Sequence, residues 1–181
     1  MTTRTLVTAD ELLRMPSDGK RYELIEGKLI ELAPAGLRRG EIAATIALLI
    51  GNYVRQMGLG SVFVAGPGFF LQRDPDTVRA PDVAFIAKAR LSPDGAPAGF
   101  SDTIPDLVVE VVSPNDRAGH VQEKIEQWIE HGVKLVWVAY PECRSITVYR
   151  SLREAHVHHE GDTLTGDPVI PGFSCSVTEI F

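Results

Sequence analysis

The run Leu107 to Val112 reads L-V-V-E-V-V and is apolar in both parities. A strand with one solvated face alternates polar and apolar residues, so a run without alternation belongs where both faces are covered, at the centre of a sheet. Helix-start residues follow at once (Ser113, Pro114, Asn115, Asp116), then an apolar stripe of Val121, Ile125, Trp128 and Ile129 that Gly132 ends. A second apolar strand spans Val133 to Ala139. Strand, helix and strand with such short connections predict a β-α-β unit with parallel strands and a right-handed crossover.

The rest of the chain adds layers to this unit. Thr8 and Glu11 form a capping box that opens a short helix through Leu12, Leu13 and Met15, closed by Pro16 and Gly19. Arg21–Glu26 and Lys28–Leu32 flank Gly27 as the strands of an N-terminal hairpin. From Leu37 to Met57, Ile42, Ile46, Leu49, Ile50, Tyr53, Val54 and Met57 recur at helical spacing, and Gly58 supplies a left-handed stop. Short strands are expected at Ser61–Ala65, Phe69–Leu71 and Asp82–Ala87, the last introduced by Arg79, Ala80 and Pro81. Lys88 to Pro105, punctuated by Pro and Gly, reads as a surface loop. Beyond Arg144, weak alternation between turn signals predicts small antiparallel additions. The expected fold is α/β, with a mixed sheet flanked by helices in one domain over residues 1–181.

Composition narrows the function classes. The formal charge of −6 argues against coating phosphate by bulk attraction. Residues 1–60 hold eight basic and seven acidic residues, against ten and seventeen in the remainder, so the acidity sits with the central strand. Two cysteines, Cys143 and Cys175, point to a reducing, cytoplasmic setting rather than a disulfide scaffold. The longest apolar stretch, Ile42 to Ile50, is far short of the ~20 residues of a bilayer span. The N-terminus has no basic region followed by a secretory core.

Within the central run Glu110 breaks the pattern. A carboxylate buried there costs several kcal/mol unless it is paired, protonated or metal-bound. On a wheel of about 100° per residue with Val121 at zero, Ile125 falls at about 40°, Trp128 at about 340°, Arg117 at about 320° and Lys124 at about 300°. Lys124 thus flanks the buried stripe and can meet Glu110, 14 residues upstream across the tight connection. Asp82, after Pro81, brings a second carboxylate if its strand lies beside that of Glu110. Two converging carboxylates with an ammonium can hold Mg²⁺ or Mn²⁺ through oxygen ligands and orient a water. The plainer reading of Glu110 and Lys124 is a structural salt bridge, and of Asp82 a turn residue bonding main chain.

The order Asp82, then Glu110 on an apolar strand, resembles the PD-(D/E)XK nuclease superfamily. More closely, R-Y-E-L-I-E-G-K-L, R-A-P-D-V-A-F-I, P-D-L-V-V-E-V-V-S-P-N-D and W-I-E-H-G-V-K-L-V-W-V, with I-P-G-F-S and E-I-F at the end, look like the Uma-two family of restriction-type endonucleases. The resemblance implies a restriction-endonuclease-like fold and metal-dependent hydrolysis of nucleic-acid phosphodiesters, DNA first among them. It implies Asp82 and Glu110 as metal ligands with the Val111 carbonyl, and Lys124 as the catalytic lysine. Glu23 joins this set as a further acidic member, completing the ligands or anchoring Lys124; Glu41 is its rival. The superfamily's usual lysine sits two residues after the strand acid, where this chain has Val112, so the role falls to Lys124. The family often carries His-Gly at the start of the long helix, where this chain has Arg39-Gly40; Arg39 then either holds a phosphate or weakens the site. Arg117 is a second phosphate candidate, or pairs with Asp116 or Asp82. Homodimerisation is expected by analogy with nucleases that cut two strands, and no membrane partner is implied. Two further readings compete: a non-catalytic protein keeping the fold for binding, with the acids as an ion-pair network, and a zinc site drawn on His156, His158, His159 and Glu160.

Overall fold

The structure, a computed structural model, describes residues 6–16 and 18–181; the first residues of the N-terminal stretch read above lie outside this range. In chain order the elements are α1 (Ala9–Arg14), β1 (Arg21–Ile25), β2 (Lys28–Leu32), α2 (Leu37–Met57), β3 (Gly60–Val64), β4 (Phe69–Gln72), β5 (Thr77–Arg79) and β6 (Val83–Ala87). They continue with β7 (Leu107–Val111), α3 (Ala118–Glu130), β8 (Leu135–Tyr140), β9 (Ser145–Ser151), β10 (Glu154–His159), β11 (Thr163–Thr165) and β12 (Ser174–Ser176).

The main sheet has the order β10-β9-β8-β7-β6-β3. β7 and β8 are parallel, joined by α3, and every other pair in this sheet is antiparallel. The lack of alternation in β7 now has its cause. Leu107, Val109 and Val111 face one way, against Ile42, Ile46, Ile50 and Val54 of α2. Val108 faces the other way, against Ile125 and Trp128 of α3. The i, i+4 spacing of the α2 isoleucines keeps one stripe on the sheet, and Gly58 ends the helix with φ of 63°. Met57 departs from the expected stripe and is exposed.

A second, antiparallel sheet has the order β2-β1-β5-β4. Its hairpin turns at Glu26 and Gly27, both with positive φ, the geometry that lets a two-residue loop match the strand twist. Periodicity predicts no strand at β5, and Arg79 belongs to it rather than leading into the next strand. Three residues are too few for periodicity to register. The antiparallel additions expected beyond Arg144 are of two kinds: β9 and β10 extend the main sheet, and β11 and β12 form a small separate pair. Helix α3 starts later than expected, at Ala118, because Asp116 draws its own turn closed: its carboxylate accepts the Ser113 N–H at 2.8 Å. Among the described residues no helix is long and apolar enough to cross a membrane.

Ile50 is fully buried between α2 and the sheet. Ile50→Ala should lower unfolding free energy by about 2–5 kcal/mol, read as a reduced urea midpoint at unchanged slope.

Candidate active site

Alternation along β7 turns Glu110 to the face covered by α3, where two of the helix's side chains meet it. The Trp128 indole Nε1–H donates to Glu110 Oε1 at 3.0 Å, and Lys124 Nζ lies 3.4 Å from Oε2. The wheel placed Lys124 correctly. It treated Trp128 as core alone, and Trp128 is that as well, fully buried yet with its one polar atom spent on the carboxylate. Its place one turn beyond Lys124, flanking the same face, was the available signal.

Lys124 is shared. Its Nζ also lies 3.1 Å from Oε1 of Glu23, which is 1% exposed on β1. Glu23 Oε1 further accepts the Ala80 N–H at 3.1 Å, and Oε2 accepts Arg79 Nη1–H at 2.7 Å. Leu24 is paired with Val78 in the antiparallel register, which sets Glu23 opposite Arg79. Arg79 is itself buried, donating from Nε to Gln127 Oε1 of α3 at 2.7 Å, with Nη2 3.4 Å from Glu123. Sequence reasoning missed Arg79 in any such role. Glu41, the rival of Glu23, is exposed on α2.

Asp82 stands at the head of β6, with its carboxylate beside the end of β7. Oδ2 accepts the Val111 N–H at 2.8 Å. Arg39, in the first turn of α2, grips both oxygens from Nε and Nη2 at 2.9–3.2 Å, and its Nη1 lies 3.5 Å from Ser113 Oγ. The guanidinium expected on a phosphate is thus paired with the acid expected on a metal. Arg117 is exposed in the turn before α3 and forms no ion pair among the described residues. His156 lies on the exposed edge strand β10, and Glu160 pairs with Arg144.

The Uma2 family model, described as "Putative restriction endonuclease", matches residues 9–178. The chain belongs to the Uma2 family. A solved structure titled as a putative nuclease belonging to DUF820, from Anabaena variabilis, shares the fold with a TM-score of 0.80, at 24% identity over 97% of each chain. No curated protein matches the chain.

In this Uma2 chain three buried or nearly buried acids, Glu23, Asp82 and Glu110, meet three cations, Arg39, Arg79 and Lys124. Their balance is uneven. Burial pushes the Glu110 carboxyl above the ordinary range, and Asp82 and Glu23 push the same way, against Lys124 and the Trp128 bond. Burial also acts to raise Glu23, but Lys124 and Arg79 outweigh it and hold that carboxyl low. Lys124, despite burial, is held above the ordinary lysine value by Glu110 and Glu23 and stays protonated.

Among the described residues no three His, Cys, Asp or Glu side chains converge at metal-ligand spacing, either around the β10 histidines or around Glu110. The donor chemistry at the end of β7 still suits a hard divalent ion, since Asp82 and Glu110 offer only oxygen. Glu110, whose ionisation is opposed by burial first and by Asp82 and Glu23 as well, would gain from positive charge placed near it.

Removing the Glu23 charge takes from buried Arg79 its closest carboxylate, leaving it Glu123 at 3.4 Å and the neutral Gln127. Glu23→Gln should cost about 3–5 kcal/mol at pH 7, measured by chemical denaturation. Because the folded-state value of Glu23 is lowered, its contribution is complete above the ordinary carboxylate value of about 4.3 and is lost as pH falls through the folded value. The gap between wild type and variant should therefore close on acidification, and a gap independent of pH would refute the assignment.

Proposed function

We propose that this Uma2 protein is a divalent-metal-dependent endonuclease that hydrolyses phosphodiester bonds, with DNA as its substrate. The observation that carries the proposal is the placing of two oxygen-only acids at one end of the central strand, Asp82 on the Val111 N–H and Glu110, one residue earlier, ion-paired with the shared Lys124. Asp82 and Glu110 would hold Mg²⁺ or Mn²⁺ with the Val111 carbonyl. Alternation along a strand sends the N–H and C=O of one residue to the same edge, and the Val111 N–H already points to Asp82. When bound, the ion supplies an acidified water and polarises the phosphoryl oxygen.

The chain's own residues divide the remaining work. Lys124, kept charged, serves as a donor to oxygen that gains charge in the transition state; its raised value makes it a poor base. Glu23, with both oxygens engaged, positions Lys124. Arg117, exposed at the turn between β7 and α3, is free to meet a backbone phosphate.

One observation favours a second reading. The pairing of three acids with three cations is what a non-catalytic protein keeping the fold as an ion-pair network would also display. Titration calorimetry with Mn²⁺ separates the two, since a structural network takes up no ion at this site.

Glu110→Gln should abolish Mg²⁺-dependent cleavage of plasmid DNA while the protein stays folded. The amide is close in shape to the carboxylate, its oxygen can still accept from Trp128, and Lys124 keeps Glu23 as a partner. Cleavage at the wild-type rate would sink the proposal. Lys124→Ala should reduce turnover about 100-fold with Mn²⁺ affinity unchanged within a few fold, whereas a stability loss without that split would favour the structural network.

A further inference from the structure

Asp82 has no oxygen to spare. Oδ1 and Oδ2 each receive Arg39 from Nε and Nη2, and Oδ2 also takes the Val111 N–H. We infer that Arg39 is an internal competitor for the divalent ion: its guanidinium occupies Asp82, and the ion gains that carboxylate only when Arg39 lets go. This inference rests on the proposed metal site and adds what controls its occupancy.

The helix itself gives Arg39 little reason to sit where it does. It is the third residue of α2, whose N-terminus carries the positive end of the helix dipole, a poor place for a cation. That first turn has no acidic residue and no side-chain cap. Its neighbour Arg38 is turned away to the Pro141 carbonyl at 2.8 Å. Arg39 is held instead by the fork on Asp82, with the Ser113 hydroxyl 3.5 Å from its third nitrogen. A side chain secured by one carboxylate is free to move when that carboxylate finds another cation. Arg39 also keeps about 20% of its side-chain surface exposed, so an oxyanion arriving from solvent can reach it.

Two consequences follow from mass action. Without nucleic acid the apparent ion affinity is reduced by the fraction of molecules in which Arg39 has released Asp82. A phosphate that draws Arg39 outward raises that fraction, so ion and nucleic acid strengthen each other's binding by the same factor. The phosphate role read from sequence for Arg39 and its observed pairing with Asp82 are then two states of one side chain.

The test is calorimetric titration of Mn²⁺ into the wild-type protein, Arg39→Gln and Asp82→Asn, with intrinsic tryptophan fluorescence followed in parallel because one of the two indoles, Trp128, bonds Glu110. Arg39→Gln should bind Mn²⁺ at least about tenfold more tightly than wild type, as expected when release had been limiting. It should also gain a larger rise in Tm on adding Mn²⁺. Asp82→Asn should bind no more tightly than wild type. Should Arg39→Gln fail to fold, Arg39→Lys keeps the charge without the two-pronged grip and should still bind more tightly than wild type. Equal or weaker Mn²⁺ binding by the Arg39 variants, with wild type binding normally, overturns the competitor role and leaves the metal site standing. Absence of Mn²⁺ binding in every protein overturns both.

Discussion

A carboxylate in the middle of a strand covered on both faces is the constraint around which this part of the molecule is arranged. Glu110 cannot turn to water, because α3 lies over its face of β7. A buried charge left alone would cost more than most single packing contacts contribute. The helix that buries it therefore brings an ammonium and an indole N–H to its two oxygens. Even so the balance is incomplete, since Asp82 and Glu23 both oppose its ionisation.

Lys124 carries that constraint outward. By reaching Glu23 as well as Glu110, it ties the second sheet to the main sheet through α3. Arg79 makes a parallel tie from β5 through Glu23 to Gln127. The N-terminal hairpin is thus more than an edge decoration. One of its residues positions the lysine and, through the Ala80 N–H, steadies the segment that leads to Asp82. Glu23 and Lys124 each have two partners of opposite charge, so the network shares its compensation among members rather than resting on isolated pairs.

Arg39 completes the arrangement from the opposite helix, so that α2 and α3 both contribute a cation to the same end of the central strand. Their roles differ in what holds them. Lys124 is fastened by two carboxylates from two sheets, whereas Arg39 depends on Asp82 for its strong contact. Lys124 is thus the more firmly held cation, and Arg39 the one whose place depends on a single carboxylate.

Much of this was legible in the residues alone. The doubly apolar run identified the central strand, the helical stripe placed Lys124 against Glu110, and Gly58 ended α2 where expected. These features are local: they follow from strand and helix periodicity, and Lys124 and Glu110 are only 14 residues apart. The structure alone decided the rest. Arg39 and Asp82 are separated by 43 residues, and Arg79 and Glu23 by 56, with no shared periodicity to bring them together. The three-residue strand that carries Arg79 is too short to announce itself, and whether Arg39 faced a phosphate or an acid depended on where α2 lay across the sheet. Sequence by itself determined which groups needed compensation; tertiary packing chose the partners, because a buried charge takes the nearest opposite charge whatever its distance along the chain.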